Sequence, residues 1–209
     1  MTSSLVGSEM CIRDSNKILA YSSIGQVGYI AMGFAIGNFY GLVGAILHIV
    51  SHAFMKSGLF YTSGALKFRY GIHETSQLGQ IYKDMPVTSL TMCVCALSMI
   101  GLPPFAGFFS KWYLALGAMQ NGQYVFVAVL IASSLLSAIY FFRVMEKMFM
   151  DKKTAKEKEN LYILRRSELP WQIIVPMIVT ICAVIFLGLF NSYIVEDILG
   201  PAMREVVLS

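Results

Sequence analysis

Apolar residues run along this chain in blocks, and polar punctuation divides the blocks at helical lengths. Residues 18–37 ("ILAYSSIGQVGYIAMGFAIG") form one block, rich in Gly and Ser, and "NFYG" turns the chain into a longer one at 39–66. The stretch 67–85 is polar and reads as a loop. From Met85 to Phe142 Lys111 is the one charged side chain, but "GLPPF" at 101–105 and "QNGQ" at 120–123 cut this run into segments 86–103, 105–120 and 124–144. A charged linker at 145–169 precedes a last block at about 171–190. A hydrocarbon core of about 30 Å is crossed by about 20 apolar residues of helix, and a helix apolar on every side belongs in lipid or in a large core. The pattern therefore predicts an all-α, polytopic transmembrane helix bundle of about six segments, including a helix broken by prolines.

Composition supports the same solvent. Of 209 residues 56% are hydrophobic and 13% charged, with mean hydropathy +0.64, whereas soluble domains carry about 25% charged residues. The lipid bilayer is thus the first expected partner. The net charge of +4 comes mostly from the linker and makes no case for nucleic acid. Cys11, Cys93, Cys95 and Cys182 lie in or near apolar runs, and the Cys93/Cys95 pair lacks the second ligand pair of a zinc site. No P-loop, Rossmann glycine pattern, haem attachment site or Ser/His/Asp arrangement is present, so no cofactor and no redox centre is expected in the chain itself. Residues 1–15 ("MTSSLVGSEMCIRDS") match nothing that follows and resemble translated adapter read-through. They are expected to be non-native, with the biological sequence beginning near Asn16.

Charge in the loops sets the orientation. Lys147, Lys152, Lys153, Lys156, Lys158, Arg165 and Arg166 crowd the linker, against Lys67, Arg69 and Lys83 in the 67–85 loop. The linker is therefore expected on the cytoplasmic side. If every segment crosses, the 67–85 loop, Asn16 and the C-terminus all fall outside. If 105–120 is re-entrant, the count slips by one, and the loop joins the linker on one side.

Within the apolar blocks a few basic residues stand out. "HIVSHAFMK" at 48–56 sets His48, His52 and Lys56 at intervals of four, a drift of about 80° over about 12 Å of rise, so the three share one helix face. Lys56 lies too deep to snorkel, and a charge at that depth costs several kcal/mol unless it faces water, a partner or the protein interior. A single intramembrane histidine is as often a packing residue as a ligand or relay. Three basic groups on one stripe point instead to a proton or ion pathway, since histidine ordinarily titrates near neutrality. Zinc on His48 and His52 is the rival, with no acidic or thiol ligand near in sequence to complete it. Lys111 follows "GLPPFAGFFS", where Pro103 and Pro104 interrupt helical hydrogen bonding. Broken helices at membrane depth line cavities or lie buried in protein, which makes Lys111 a relay candidate; a lysine snorkelling from an interfacial turn is the alternative. Lys17 reads on periodicity as an interfacial anchor, and Arg143 likewise. Tyr21, Ser22, Ser23 and Gln26 give the first block a polar stripe suited to an internal water path.

Taken together, "LAYSSIGQVGY", "HIVSHAFMKSGLF", "SMIGLPPFAGFFSKWYL" and "SAIYFFRVME" resemble, in order, the motifs of the proton-translocating antiporter-like family. Its members are the large membrane subunits of respiratory complex I, Mrp-type sodium/proton antiporter subunits and related subunits of membrane-bound hydrogenases. The likeness runs from about residue 14 to about 195, and "SKWYLALGA" looks most like the Mrp-type branch of the family. It implies a proton relay of Lys17, His48, His52, Lys56 and Lys111. It implies too a larger inverted-repeat fold of which this chain would supply the later part: the second repeat at 16–144, the cytoplasmic linker at 145–169, and a terminal helix and tail at 170–209. Only Lys17 remains of the basic pair that precedes "LAYSS" in the family. The family's glutamate–lysine pair of the first repeat has no counterpart, so the fragment alone is not expected to catalyse exchange. The expected partners are other membrane subunits of a hetero-oligomeric antiporter or respiratory complex, with protons as cargo and Na+ as a candidate counter-ion, in the bacterial cytoplasmic membrane. A passive membrane scaffold is the reading from another class.

Overall fold

The computed structural model describes residues 15–70, 81–150 and 169–201. Helix α1 spans Ser15–Ile36 and α2 Phe39–Tyr70. A single 3-10 turn, Ile81–Lys83, leads into α3, Pro86–Ile100, and then come α4, Ala106–Gln120, and α5, Tyr124–Met150. The last helix α6, Trp171–Leu189, continues through a short helix α7, Asn191–Tyr193, and a π-helical stretch, Ile194–Leu199. Among the described residues there is no strand. The six segments read from hydropathy fall on α1 to α6 with ends displaced by a few residues, as fraying helix ends generally are. Two expectations change. Residues 145–150 prolong α5 and are not linker, and the chain beyond 190 stays helical to Pro201. The charges at 151–168, His73, Glu74 and the segment 1–14 lie outside the described residues.

Three helices, Phe39–Arg69, Tyr124–Met150 and Trp171–Leu189, are long and apolar enough to cross a membrane alone. The 15-residue helices α3 and α4 are each only about 22 Å long, short of a full crossing. They share one. Tyr82, just before α3, packs against Phe149 near the end of α5, with ring centroids 5.2 Å apart and planes tilted by 34°. At the other extreme, Asn121 after α4 donates to Ile36 O (2.7 Å) and Asn38 donates to Gly117 O (2.8 Å). This knot ties the α4–α5 turn to the α1–α2 turn. Helices α3 and α4 thus run in sequence from the end where α5 finishes to the end where α5 begins. The re-entrant count applies, and the start of α1, the end of α2, the turn at 81–83 and the end of α5 all lie at one end of the bundle.

The halves overlap where they meet. Gly101 closes α3 in the left-handed region at φ 92°, a conformation open chiefly to glycine. A Cβ on Gly107 would lie 1.9 Å from Ser98 O, and one on Gly188 of α6 would lie 2.0 Å from Pro104 O. The first turn of α4 therefore lies directly beside the last turn of α3, with α6 pressed against the connection. The Gly107 amide donates to Ser98 Oγ (3.1 Å), so a side chain of one half caps the other. Methionines and aliphatics of α2, α3, α5 and α6 fill the main core, among them Met55, Met85, Met99, Met148 and Met177.

Candidate functional site

Lys111 is five residues into α4, which places it against the end of α3 because the halves overlap. Its ammonium donates to Met99 O (2.9 Å), Ile100 O (3.0 Å) and Ser134 Oγ of α5 (3.1 Å). It also lies 5.1 Å from the Tyr29 ring centroid. Carbonyls in the last turn of a helix lack intrahelical donors and carry its negative end, so the break in α3–α4 is itself the counter-charge. Together with the aromatic face, it compensates a lysine that is only 5% exposed. The snorkelling alternative is excluded by this burial, since all three ammonium protons are spent inside the bundle.

The sequence stripe on α2 appears as expected on one face. His48 is fully buried; its Nδ1 pairs with Ser110 Oγ (2.9 Å) and its Nε2 with Gln26 Oε1 (3.0 Å). Ser110 in turn donates to Gly107 O (3.1 Å), so its oxygen accepts from Nδ1. In this arrangement both ring nitrogens face acceptors. Rotating the Gln26 amide would offer Nε2 a donor instead, so the same pocket can hold His48 with one ring proton or two. Both nitrogens being occupied, His48 has none free for a metal. No cluster of three or more His, Cys, Asp or Glu side chains occurs among the described residues. His52 stacks on His48 with centroids 6.1 Å apart, and its buried Nε2 has no hydrogen-bond partner. One turn further, Lys56 donates to Ser22 Oγ of α1 (2.5 Å).

Tyr29 joins the pieces. Its ring meets His48 edge-on at 5.4 Å, lies under the Lys111 ammonium, and its hydroxyl bonds Ser133 of α5. The sequence-predicted residues His48, His52, Lys56 and Lys111 thus form one polar core through α1, α2, α4 and α5. Of the α1 stripe, Ser22 and Gln26 enter it. Lys17 lies in the first turn of α1, and its side chain is outside the described residues, as is that of Tyr21. Tyr29, Ser110, Ser133 and Ser134 are site residues that the sequence reading passed over. The one available signal was "SSLLS" at 133–137, with two hydroxyls four apart inside an apolar helix.

A helix broken beside a buried lysine, linked to a histidine stripe on a neighbouring helix, is the arrangement that the sequence motifs implied. The family described as NADH:quinone oxidoreductase/Mrp antiporter, TM, matches residues 1–137. The chain belongs to this family. It is 46% identical over 207 residues to NADH-quinone oxidoreductase subunit N of Desulforudis audaxviator (strain MP104C), covering 95% of this chain and 41% of the relative. It is 32% identical over 197 residues to F(420)H(2) dehydrogenase subunit N of Methanosarcina mazei, covering 90% and 38%. Among solved structures, the Mrp complex from Dietzia sp. DQ12-45-1b shares the fold at TM-score 0.78 and 22% identity, over 98% of this chain and 47% of that one. The chain therefore spans about two fifths of the length of the curated relatives it matches. It is a multi-pass membrane chain of a family whose members work in multi-subunit membrane complexes.

Proposed function

We propose that this chain carries half of the proton path of an antiporter-like membrane subunit, with protons passing among Lys17, His52, His48, Lys56 and Lys111. The observation that carries the reading is the seat of Lys111. A buried ammonium cradled by helix-end carbonyls at a chain break, one residue from the partner of His48, is costly to build for packing alone. It makes sense where a proton must be held at mid-membrane and released. Pushing one charge against 100 mV costs about 2.3 kcal/mol, so an energy source is required, and no redox centre is expected in this sequence. The partners are then the remaining helices of the same subunit and the subunits that drive it. The 46% identity to a NADH-quinone oxidoreductase subunit N favours a redox-driven complex in a bacterial cytoplasmic membrane. The Mrp-type reading, with Na+ as counter-ion, rests on a shared fold at 22% identity and is the alternative.

The test replaces Lys111 or Lys56 with Ala in the full-length subunit within its complex, reconstituted in vesicles. Formation of a pH gradient is expected to cease while the complex assembles and its electron transfer or cation binding stays measurable. Loss of assembly with unaltered activity per assembled complex would establish the scaffold reading instead. A gradient that depends on added Na+ and not on an electron donor would assign the chain to the Mrp-type machine.

A further inference from the structure

Helix α1 offers one polar side chain per turn to the basic residues of the other helices. Ser22 accepts from Lys56 (2.5 Å), Gln26 Oε1 meets His48 Nε2 (3.0 Å), and the Tyr29 ring lies under Lys111. Gln26 stands out among them. It is only 1% exposed, and its amide carries a donor and an acceptor on a torsion that turns over without moving the stem. Its partner His48 is fixed at the other ring nitrogen. Ser110 spends its proton on Gly107 O, so Ser110 Oγ accepts from Nδ1, and Nδ1 keeps its hydrogen. Nε2 is then the atom at which His48 gains or loses a proton, and Gln26 is what faces it. An imidazolium needs an acceptor at Nε2, which Oε1 supplies. A neutral ring needs a donor there, which the amide N–H supplies.

We propose that Gln26 is the positioning residue of His48: its amide turns over with each change of charge on the ring, holding the imidazolium through Oε1 and the neutral imidazole through its N–H. The half-turn uncovers Nε2. There a hydronium of the path gives the ring its proton and leaves as water, and the reverse step returns it. Only the N–H bond at Nε2 forms or breaks, while Nδ1 and the amide keep their hydrogens. A carboxylate in this place could serve the charged ring alone. An apolar residue of the same length could tie α1 to α2 without burying an amide, but it could serve neither form. The assignment rests on the proton-path reading above and names the residue that lets His48 take part in it.

Gln26→Glu and Gln26→Met, both close to the parent side chain in length, test this in the full-length subunit within its complex. The readout is the initial rate of pH-gradient formation per assembled complex in vesicles, measured at a series of starting pH values. Glu offers acceptors only and favours the imidazolium, so its profile is expected to move to higher pH by about 1–3 units. Met leaves Nε2 bare and favours the neutral ring, so its profile should move to lower pH by about 1 unit. A packing defect would not displace the two in opposite directions. The other ionisable groups around His48 are Tyr29 of α1, His52 and Lys56 of α2 and Lys111 of α4, and every variant keeps them. Gln26→Asn, an amide one methylene short, should keep the parent profile at a rate lowered severalfold. If only one of the first two variants assembles, the sign of its shift decides; if neither does, an unchanged rate in Gln26→Asn overturns the assignment. Profiles left in the parent position, or displaced the same way, overturn it too. Lys111→Ala run alongside separates the two readings. If the gradient survives it, the proton path fails and the role of Gln26 with it; if the gradient is lost while the Gln26 profiles stay in place, only that role is lost.

Discussion

At the scale of single residues, the site works by giving its innermost lysine and histidine partners that can also be given up. Lys111 rests on two helix-end carbonyls and a serine; His48 rests on Ser110 and Gln26. None of these partners is a carboxylate, so no fixed counter-charge locks either group in one protonation form. Ser110 is the most exacting of the partners, since it accepts from His48 and donates to Gly107 O at once. Ser110→Ala strands a buried ring nitrogen and is expected to destabilise the protein by about 1–3 kcal/mol, measurable as a lower Tm of the complex in detergent. A Tm at the unsubstituted value would mean that His48 readily finds another partner. The basic residues of this core were legible in the sequence because a charge in an apolar run has few structural excuses. Tyr29, Ser110, Ser133 and Ser134 were not, beyond the faint signal of "SSLLS", because hydroxyls are ordinary in membrane helices, where they can bond their own backbone. Only the spatial meeting of α1, α4 and α5 distinguishes them.

At the scale of elements, the decisive feature is the overlap of α3 and α4. "GLPPF" announces a break, and the sequence alone places it correctly, because proline and glycine act locally. What hydropathy cannot say is whether two apolar segments of 15 residues are two crossings or the halves of one. That depends on which turns they meet, and the contacts Tyr82–Phe149 and Asn38–Gly117 are far apart in the chain. The overlap is built on glycines that admit a neighbouring backbone. Gly107→Ala places a methyl 1.9 Å from Ser98 O, and Gly188→Ala places one 2.0 Å from Pro104 O. In both the obstacle is backbone, not a flexible side chain, so the helices must separate. The expected cost is about 1–3 kcal/mol for each, and Gly107→Ala should also lengthen the Lys111 contacts to Met99 O and Ile100 O. The signature is a reduced Tm together with reduced proton transport per assembled complex. Gly25→Ala, where a Cβ meets nothing within 4 Å, is the control and should change neither.

At the scale of the whole molecule, the shared crossing of α3 and α4 decides sidedness. The ends of α2 and α5 and the start of α3 gather at one end of the bundle, while the α1–α2 and α4–α5 turns are knotted at the other. Lys67 and Arg69 in the last turn of α2, Lys83 before α3 and Lys147 in the last turn of α5 then belong to one end of the bundle, the end the positive-inside rule favours for the cytoplasm. Counting six full crossings had set them against each other. The orientation expected from this rule has the basic end in the cytoplasm and the asparagine knot outside. It can be read with single cysteines introduced in place of Lys83, Met150 and Tyr124, in a chain whose Cys11 is replaced by Ser. Cys95 is buried and Cys93 half-buried in α3, while Cys182 is exposed on α6 and is replaced by Ser as well. A membrane-impermeant maleimide should label positions 83 and 150 together in inside-out vesicles and position 124 in right-side-out ones. Labelling of 83 and 150 from opposite sides would mean that α3 and α4 each cross. In that case the overlap at Gly107, the seat of Lys111 and the depth assigned to the relay would all have to be given up together, because the same contacts establish them.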